Sequence, residues 1–368
     1  MLIGLIVSVG AMCGISSLLA VIMVIAESTI GNYGSVRITI NDGEKEFDAR
    51  GGKPLLNTLK SAQVFIPSAC GGRGSCGLCK CKVKGGAGEI LPTELPWLSE
   101  QEKKDNIRLS CQLKVKKDMQ IEIDPGLLYV REFHTTVIGL VNLTHDIKQL
   151  TLKLDAPDTI EYKAGQFMQI ETPPYELTDE PVYRAYSMSS VPSSHDIVEM
   201  EVRLVPDGIC TTYVHKHVKV GDRMTVNGPY GDFHLADTDR EMICIAGGSG
   251  MAPLKSILYD MREKGSPRKA TYFFGAKSRR DLFLLDEMKQ LEKDLAAFKF
   301  IPALSEPKPD DNWQGETGLI TDVVDRHTGD LSNAEAYLCG SPFMIDACII
   351  VLRKHGMPEA NIFYDKFS

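Results

Sequence analysis

The chain has 368 residues, which is too long for one ordinary hydrophobic core, so two or three domains are expected. Hydrophobic residues make up 43% and charged residues 24% of the sequence, as in ordinary globular proteins, which argues against extended disorder. The formal net charge is −8 and no long basic run is present, so a nucleic-acid-binding role is not expected.

The amino-terminal segment predicts a membrane anchor at residues 1–27. No charged side chain occurs between Met1 and Ala26, and about 20 apolar residues span a bilayer as a helix. A signal peptide would need a positive amino-terminal region and a shorter apolar core. A buried helix of a soluble fold is the weaker alternative, because such a long stretch without one charge is rare there.

The charges that flank this anchor predict its orientation. No Lys or Arg precedes it, whereas Arg37, Lys45, Arg50 and Lys53 follow it. Positive residues favour the cytoplasmic side. We therefore expect a single-pass protein of the inner (cytoplasmic) membrane whose soluble domains face the cytoplasm, where thiolates stay reduced and can bind metal.

The segment 35–125 predicts a small α+β domain. Residues Ser35–Ile40 alternate as in a strand, and Asn41-Asp42-Gly43 supplies a hairpin turn. A short helix is expected from Leu55, and further strands are expected at Lys80–Val83 and Met119–Ile123.

In the rest of the chain, the pattern of predicted strands and helices changes near residue 240. Strand-like segments spaced as in an antiparallel β-barrel predict a barrel domain at 130–237; they are Phe133–Leu140, Gln149–Leu154, Gln166–Glu171, Ile197–Leu204 and Arg223–Asn227. From residue 240 to 368, buried strands alternate with helices, which predicts an α/β domain with an open parallel sheet.

The most specific signal is a group of cysteines. Cys70, Cys76 and Cys79 lie on one glycine-rich loop, and Cys111 follows after 31 intervening residues. A plant-type [2Fe–2S] cluster takes three thiolates from one loop and a fourth from farther along the chain. The first two cysteines are separated by five residues here, against the usual four.

Two alternatives accompany this prediction. A structural zinc site would favour two separate hooks of closely spaced ligands, and only one such hook is present. Cys81 lies two residues after Cys79 and could in principle replace it as a ligand. We expect Cys81 to pack beneath the loop instead.

A second motif, Arg184-Ala185-Tyr186-Ser187, predicts a flavin site on the barrel. A flavin needs an aromatic side chain against its ring, a hydrogen bond near N5 and a cation for its pyrophosphate, and this motif can supply all three. Downstream, Gly208-Ile209-Cys210-Thr211-Thr212 predicts a turn into a helix whose N-terminus could hold the same pyrophosphate.

Two glycine-containing motifs follow buried strands in the last domain. Gly247-Gly248-Ser249-Gly250 permits close approach of a dinucleotide phosphate, although it is not the G-x-G-x-x-G fingerprint. Cys339 precedes Gly340 at the end of another strand and could contact the nicotinamide carbon that carries hydride. A solitary cysteine is more often structural.

Taken in this order, these motifs resemble the ferredoxin–NAD(P)H reductase superfamily with an amino-terminal plant-type ferredoxin domain. More narrowly, the chain resembles the F subunits of bacterial sodium-translocating NADH:quinone reductases over nearly its full length. The resemblance includes the five-residue cysteine spacing and further motifs: Ile90-Leu91-Pro92-Thr93-Glu94-Leu95, Asp311-Asn312-Trp313 and Cys339-Gly340.

The resemblance implies a fold and a set of site residues. The ferredoxin domain would be a β-grasp. The cluster ligands would be Cys70, Cys76, Cys79 and Cys111. Flavin contacts would come from the Arg184–Ser187 motif, with Ser187 catalytic, and from Gly208, Cys210 and Thr211. The nucleotide would use Gly247, Gly248, Ser249 and Gly250, with Cys339 near the hydride site. Phe367 would cover the flavin until nicotinamide displaces it.

The resemblance also implies electron transfer from NADH through FAD and the [2Fe–2S] cluster to integral membrane partner subunits and on to quinone, with Na⁺ transport coupled to it. Two other interpretations stay open. One is a reductase that feeds an oxygenase, and the other is a non-enzymatic metal-binding membrane scaffold. NADPH could replace NADH if Lys277, Arg279 and Arg280, which follow a strand end, bind its 2′-phosphate.

Overall fold

The structure is a computed structural model that describes residues 10, 12–21, 23, 33–68 and 70–367. Residues 12–21 are helical with exposed side chains, and most of the predicted anchor lies outside the described residues. Among the described residues, no helix has the length and apolar character needed to cross a membrane. The chain divides into two compact units, Met1–Tyr129 and Val130–Ser368.

The first unit is built on a five-stranded mixed sheet in the order β2-β1-β5-β3-β4. Its elements are β1 (Ser35–Ile40), β2 (Lys45–Arg50), helix α1 (Leu55–Ser61), β3 (Lys80–Gly85), helix α2 (Glu100–Lys104), β4 (Ile107–Leu109) and β5 (Met119–Glu122). Strands β1 and β5 are parallel, and the other neighbours are antiparallel. The predicted turn does join β1 to β2.

The core of this unit follows from the alternation of β1. Its residues Ile38 and Ile40 are fully buried, and they share one apolar cluster with Leu55 and Leu59 of α1. Helix α2 is an element that the sequence analysis does not predict. It begins at a capping box in which Ser99 and Glu102 satisfy each other's backbone N–H groups.

The second unit begins with an antiparallel barrel in the order β10-β7-β6-β11-β8-β9. Its elements are β6 (Arg131–Asn142), β7 (Ile147–Ala156), β8 (Phe167–Thr172), β9 (Val182–Ser187), β10 (Ile197–Arg203), helix α3 (Ile209–Lys216) and β11 (Arg223–Tyr230). A bridge between Met188 and Met200 joins β9 to β10 and closes the barrel. The predicted barrel is therefore present.

The remainder is a six-stranded parallel sheet in the order β15-β14-β13-β12-β16-β17. Its elements are β12 (Glu241–Gly247), α4 (Met251–Glu263), β13 (Ala270–Ala276), α5 (Leu285–Asp294), β14 (Phe298–Leu304), β15 (Glu316–Thr317), α6 (Ile320–His327), β16 (Ala334–Gly340), α7 (Pro342–Lys354) and β17 (Ile362–Lys366).

This sheet is covered on both faces, because neighbouring residues of β12 belong to different apolar clusters. Cys244 packs in one cluster and Ile245 in the other, and both are fully buried. From β12 the chain adds β13, β14 and β15 on one side and then returns to place β16 on the other. Ligands of open α/β sheets bind at the carboxyl edge of such a switch point.

Candidate functional site

The four candidate cluster ligands lie as two pairs of thiols. The Sγ atoms of Cys76 and Cys70 are 3.4 Å apart, and Cys79 is hydrogen-bonded to Cys111. Within each pair that hydrogen bond lowers the pKa of one thiol, to about 3 for Cys70 and about 7 for Cys111, and raises the pKa of its partner.

Two thiol pairs suit a two-iron cluster, because each iron of a [2Fe–2S] centre takes two thiolates. Within the described ranges, no group of three or more His, Cys, Asp or Glu side chains is arranged to hold a single metal ion. The fit therefore depends on the two pairs and on their proximity, since the charge of Cys70 acts on Cys111.

Backbone N–H groups of the loop also point at these sulfur atoms. The donors are Arg73 and Ser75 for Cys70, Leu78 for Cys76 and Gly74 for Cys111. Such hydrogen bonds stabilise negative charge on cluster sulfurs and tune the reduction potential. The loop is thus arranged for an anionic cluster.

Gly77 lets this loop run against an aromatic ring. Its φ is +69°, and a Cβ there would lie 2.9 Å from the ring of Trp97. Only glycine adopts this backbone conformation without strain, and only glycine leaves room for the ring. Trp97 therefore packs on the backbone between two ligands, Cys76 and Cys79.

A buried ion pair holds the segment that carries Trp97. Glu94 and Arg108 are 0% and 3% exposed, and their closest atoms are 2.6 Å apart. Glu94 also accepts from the N–H groups of Leu91 and Leu109, and Arg108 donates to the carbonyls of residues 88 and 89. Burial would raise the pKa of Glu94, but these hydrogen bonds hold it below its usual value.

The structure places Cys81 in the apolar core of the first unit, where it is expected to pack. It is 3% exposed and stands opposite Arg108 in the ladder between β3 and β4. Burial raises the pKa of its thiol to about 12. Cys79 is equally buried but is hydrogen-bonded to the Cys111 thiol, whereas the charged groups that act on Cys81 are Arg108 and Glu94 and not another thiol.

On the barrel, the structure brings Arg184, Tyr186 and Cys210 together. The hydroxyl of Tyr186 is hydrogen-bonded to the Cys210 thiol, and the charge of Arg184 acts on both. Cys210 is 1% exposed and packs in the barrel core, and burial raises its pKa. Any pyrophosphate contact at this position would therefore use the Cys210 backbone N–H and not the thiol.

The other face of the same strand carries Ala185 and Ser187. Their neighbours in the β8–β9 ladder are Gln169 and Phe167, and Ser187 is buried at 7% exposure. Gln169 is 4% exposed, and its Nε2 has no hydrogen-bond partner. A buried donor without a partner is rare, so an absent acceptor is the natural explanation. This orphaned amide fits a flavin, whose ring presents acceptor atoms.

Sequence reasoning missed Gln169. A glutamine between two apolar residues of β8, Met168 and Ile170, was the available signal. Its side chain lies on the face of the barrel that carries two predicted flavin contacts, Ala185 and Ser187.

Gly208 and Thr211 shape the turn into α3. Gly208 is the residue before the first turn of the helix, and a Cβ there would lie 2.5 Å from Oγ1 of Thr211. That hydroxyl donates to the carbonyls of Gly208 and Val205 and accepts from the Val205 N–H. Thr211 therefore holds the turn, which leaves the first backbone N–H groups of the helix for an anion.

The predicted nucleotide loop lies at the switch point of the parallel sheet. Gly247 ends β12, and residues 248–250 form a short turn that leads into α4. A Cβ on Gly250 would lie 2.3 Å from the carbonyl oxygen of Cys339. The loop can therefore approach the end of β16 only with glycine at 250. This glycine-lined edge fits a dinucleotide phosphate.

Cys339 and Phe367 meet at the same edge. The thiol of Cys339 is fully buried, and burial raises its pKa well above the usual value. Phe367 donates its N–H to the carbonyl of Gly340 at 2.9 Å and packs against the cluster that contains Cys339. Cys339 and Phe367, two of the three residues predicted to act in hydride transfer beside Ser187, are thus close together.

The three basic residues considered for a 2′-phosphate already have partners. Lys277 pairs with Glu306 at 3.4 Å, Arg279 stacks over the Trp313 ring, and Arg280 lies 3.7 Å from Asp281.

Comparison with known proteins agrees with three successive domains. The family model of the 2Fe-2S iron-sulfur cluster binding domain matches residues 38–116. The oxidoreductase FAD-binding domain matches residues 134–235, and the oxidoreductase NAD-binding domain matches residues 244–349.

Full-length relatives define the family. The F subunit of the Na(+)-translocating NADH-quinone reductase of Neisseria meningitidis is 38% identical and aligns over 95% of this chain and 96% of its own length. The protein of Mannheimia succiniciproducens with the same name is also 38% identical, over 98% of both chains. The chain belongs to this family of F subunits.

Solved structures resemble the chain as well. The Amycolatopsis cytochrome P450 reductase GcoB is 25% identical with a TM-score of 0.73, and the match covers 90% of this chain and 98% of that one. The ferredoxin reductase of a carbazole 1,9a-dioxygenase is 26% identical with a TM-score of 0.70, over 91% and 99% of the two chains. This member of the quinone reductase family therefore shares its architecture with oxygenase reductases.

Proposed function

We propose that the chain is the electron-input subunit of a membrane-bound NADH:quinone reductase. It oxidises NADH and passes single electrons to integral membrane partner subunits. The observation that carries the proposal is the full-length similarity, at 38% identity, to subunits of that name. When bound, FAD accepts hydride as an electron pair, and the [2Fe–2S] cluster carries electrons one at a time.

The chain's own residues take the following roles in this proposal. Cys70 and Cys76 hold one iron, and Cys79 and Cys111 hold the other. The Arg184–Ser187 strand, Gly208, Thr211 and the Cys210 backbone bind FAD, with Gln169 as an added donor. Gly247, Gly248, Ser249 and Gly250 bind the nucleotide at the switch point. Cys339 and Phe367 exclude water beside the nicotinamide, and Ser187 hydrogen-bonds the flavin.

The membrane part of the proposal depends on the sequence. An anchor at residues 1–27 is supported by the absence of charge before Glu27, and cytoplasmic soluble domains are supported by the basic residues after it. The proposed domains are 35–125 for the cluster, 130–237 for FAD and 240–368 for NADH. Coupling to Na⁺ transport is proposed from the name of the relatives alone.

The first test is anaerobic reduction of the purified chain, with FAD and cluster in place. We expect NADH to bleach the flavin absorbance first and the cluster absorbance after it. Each NADH consumed should supply two electrons to these centres. NADPH at equal concentration is expected to react far more slowly, because the relatives are named NADH-quinone reductases. Failure of NADH to reduce the flavin would contradict the proposal.

The second test identifies the partners. Detergent extraction of native membranes and affinity purification of the tagged chain should recover multi-span membrane subunits and NADH:quinone activity. The matched control is the chain that lacks residues 1–27, which should keep NADH oxidation with an artificial acceptor and lose the membrane subunits.

One alternative has a specific observation in its favour. The likeness to a cytochrome P450 reductase and to a dioxygenase reductase, with TM-scores of 0.73 and 0.70, supports a reductase that feeds an oxygenase. In that case the purification would recover an oxygenase component, and the cluster would be reoxidised by it and not by the membrane subunits.

A further inference from the structure

Strand β10 carries a second set of residues on the face that points away from the barrel core. Val198, Met200 and Val202 pack inside the barrel and are fully buried. Glu199, Glu201 and Arg203 alternate with them and therefore point to the other side. That side of the strand contacts the glycine loop and helix α4 of the nucleotide-binding part.

Each of these outward residues meets the nucleotide-binding segment. The Oε2 atom of Glu199 lies 3.3 Å from Nζ of Lys255 on α4, and the Lys255 side chain is 3% exposed. A Cβ on Gly248 would lie 3.4 Å from Nη1 of Arg203, whose Nε also donates to Asp146 at 2.8 Å. Thus one strand of the barrel contacts both the loop and the helix that follows it.

Glu201 is the unusual member of this set. It is 3% exposed, and both of its carboxyl oxygens lack a hydrogen-bond partner. The groups that face it are Lys255 of α4, Glu199 of its own strand, Glu287 of α5 and Tyr272 of β13. Lys255 is thus the cation shared by two neighbouring carboxyls, Glu199 and Glu201.

One buried lysine can neutralise only one of the two carboxyl groups, so the other is expected to be uncharged. A buried ammonium needs a paired carboxylate, which Glu199 supplies, and a second ionised carboxylate beside it would be desolvated and repelled. Burial raises the pKa of Glu201 to about 8, with the charge of Glu199 adding to the effect and that of Lys255 opposing it. The protonated, neutral form of Glu201 is therefore the form that leaves the Lys255–Glu199 pair undisturbed.

We propose that Glu199, Glu201 and Lys255 are positioning residues that hold the Gly248–Gly250 loop and α4 against the flavin barrel. This inference rests on the proposed function, because the loop and the barrel are the proposed nucleotide and flavin sites. Hydride transfer needs its donor and acceptor carbons within about 3–3.5 Å, and a shift of 1 Å costs about a hundredfold in rate. The contact made by Glu199, Glu201 and Lys255 between the two sites therefore affects the rate of hydride transfer more than the affinity for the nucleotide.

The test compares wild type with Lys255→Met, Lys255→Arg and Glu201→Gln. We expect Lys255→Met to lower the rate constant of flavin reduction at saturating NADH about tenfold or more, with less than a threefold change in NADH dissociation constant. Lys255→Arg should recover most of the rate. Wild type should slow above pH 8 as Glu201 ionises, and Glu201→Gln should not.

A second readout needs no bound cofactor. In the cofactor-free protein, amide hydrogen exchange of Met251–Glu263 should be faster in Lys255→Met than in wild type. The matched control is Lys354→Met on α7, which removes an exposed ion pair with Asp325 and should change neither exchange of α4 nor the rate. If Lys255→Met folds poorly, the Glu201→Gln pH profile carries the test.

The outcomes separate the two proposals. Unchanged rates, unchanged exchange of α4 and identical pH profiles would overturn the positioning role and leave the proposed function intact. If NADH does not reduce the wild-type flavin, the proposed function fails. Faster amide hydrogen exchange of α4 in Lys255→Met would still support the positioning role of Lys255.

Discussion

The carboxylate of Glu94 lies 2.6 Å from the guanidinium of Arg108, and neither side chain is more than 3% exposed. Between them they bind four backbone groups of the 88–91 segment and of β4, which leads to the ligand Cys111. Breaking a buried pair by removing one partner leaves an uncompensated charge. The pair therefore links the packing of Trp97 to the position of a cluster ligand.

We expect Arg108→Met to destabilise the first unit by about 3–5 kcal/mol, because the Glu94 carboxylate would stay buried without its cation. Urea unfolding followed by the loss of cluster absorbance measures this. Lys84→Met, which removes exposed contacts with Asp42 and Glu122 in the same unit, should leave the unfolding midpoint nearly unchanged. Equal midpoints for the two variants would contradict the structural role of the buried pair.

Cys79, which directly precedes β3, and Cys81, which lies in β3, give a matched comparison. Cys79→Ala should abolish the cluster, because a single thiol, Cys111, would be left to hold one iron. Cys81→Ala should keep it, because Cys79 is hydrogen-bonded to Cys111 and Cys81 is not paired with another thiol. Iron content per chain and the electron paramagnetic resonance signal of the reduced protein are the measurements. Loss of iron in both variants would show that Cys81 takes part in ligation.

Local signals predicted most of the fold. Alternation in Ser35–Ile40 and the continuous apolar run before Gly247 are properties of short segments, so both strands could be found without the structure. The cysteine spacing predicted a ligand set in the same way. The two-residue β15 and the edge strand β17 carry no comparable pattern, because their pairing depends on strands far away in the sequence.

What sequence reasoning missed at the site is long-range in the same sense. Glu201 and Lys255 are 54 positions apart, and nothing in either segment reveals that they share one buried space. Gln169 carries a weak local signal, but its lack of a partner is visible only in the folded barrel. The role of a buried polar group depends on the residues around it, and those residues are brought together only by the tertiary fold.

Gly250→Ala should weaken nucleotide binding. The new Cβ would lie 2.3 Å from the Cys339 carbonyl oxygen, which belongs to the backbone and cannot yield as a side chain would. We expect the NADH dissociation constant to rise at least about tenfold, with the flavin still bound. Gly329→Ala is the control, because a Cβ there meets nothing within 4 Å. Fluorescence titration with NADH measures both, and equal affinities would refute the close-approach argument.

Gln169→Leu should separate apoprotein stability from flavin affinity. The variant removes a buried donor that has no partner in the protein, so the cofactor-free form should gain about 1 kcal/mol. If the amide serves the flavin, FAD affinity should fall about three- to tenfold, the value of one hydrogen bond. Thermal unfolding without FAD and calorimetric titration with FAD test the two halves. Unchanged FAD affinity would exclude Gln169 from the flavin site.

Glu201→Gln should change how stability depends on pH. Burial raises the pKa of Glu201 to about 8 in the folded chain, against about 4.3 for an ordinary glutamate. The folded state therefore binds this proton more tightly than the unfolded state, and its contribution to stability is lost as pH rises between these two values. The slope is at most about 1.4 kcal/mol per pH unit for one group.

The variant lacks this titrating group. The free energy of unfolding of the variant should therefore rise relative to that of wild type between pH 5 and pH 8, and the difference between the two should stay constant above pH 8. Urea unfolding of the second unit at several pH values measures the difference. Glu359→Gln is the control, because that side chain is 79% exposed and pairs with Arg353 at the surface. Parallel curves for wild type and Glu201→Gln across this range would mean that Glu201 is already ionised at pH 5 in the folded protein, and that Lys255 neutralises both carboxylates at once.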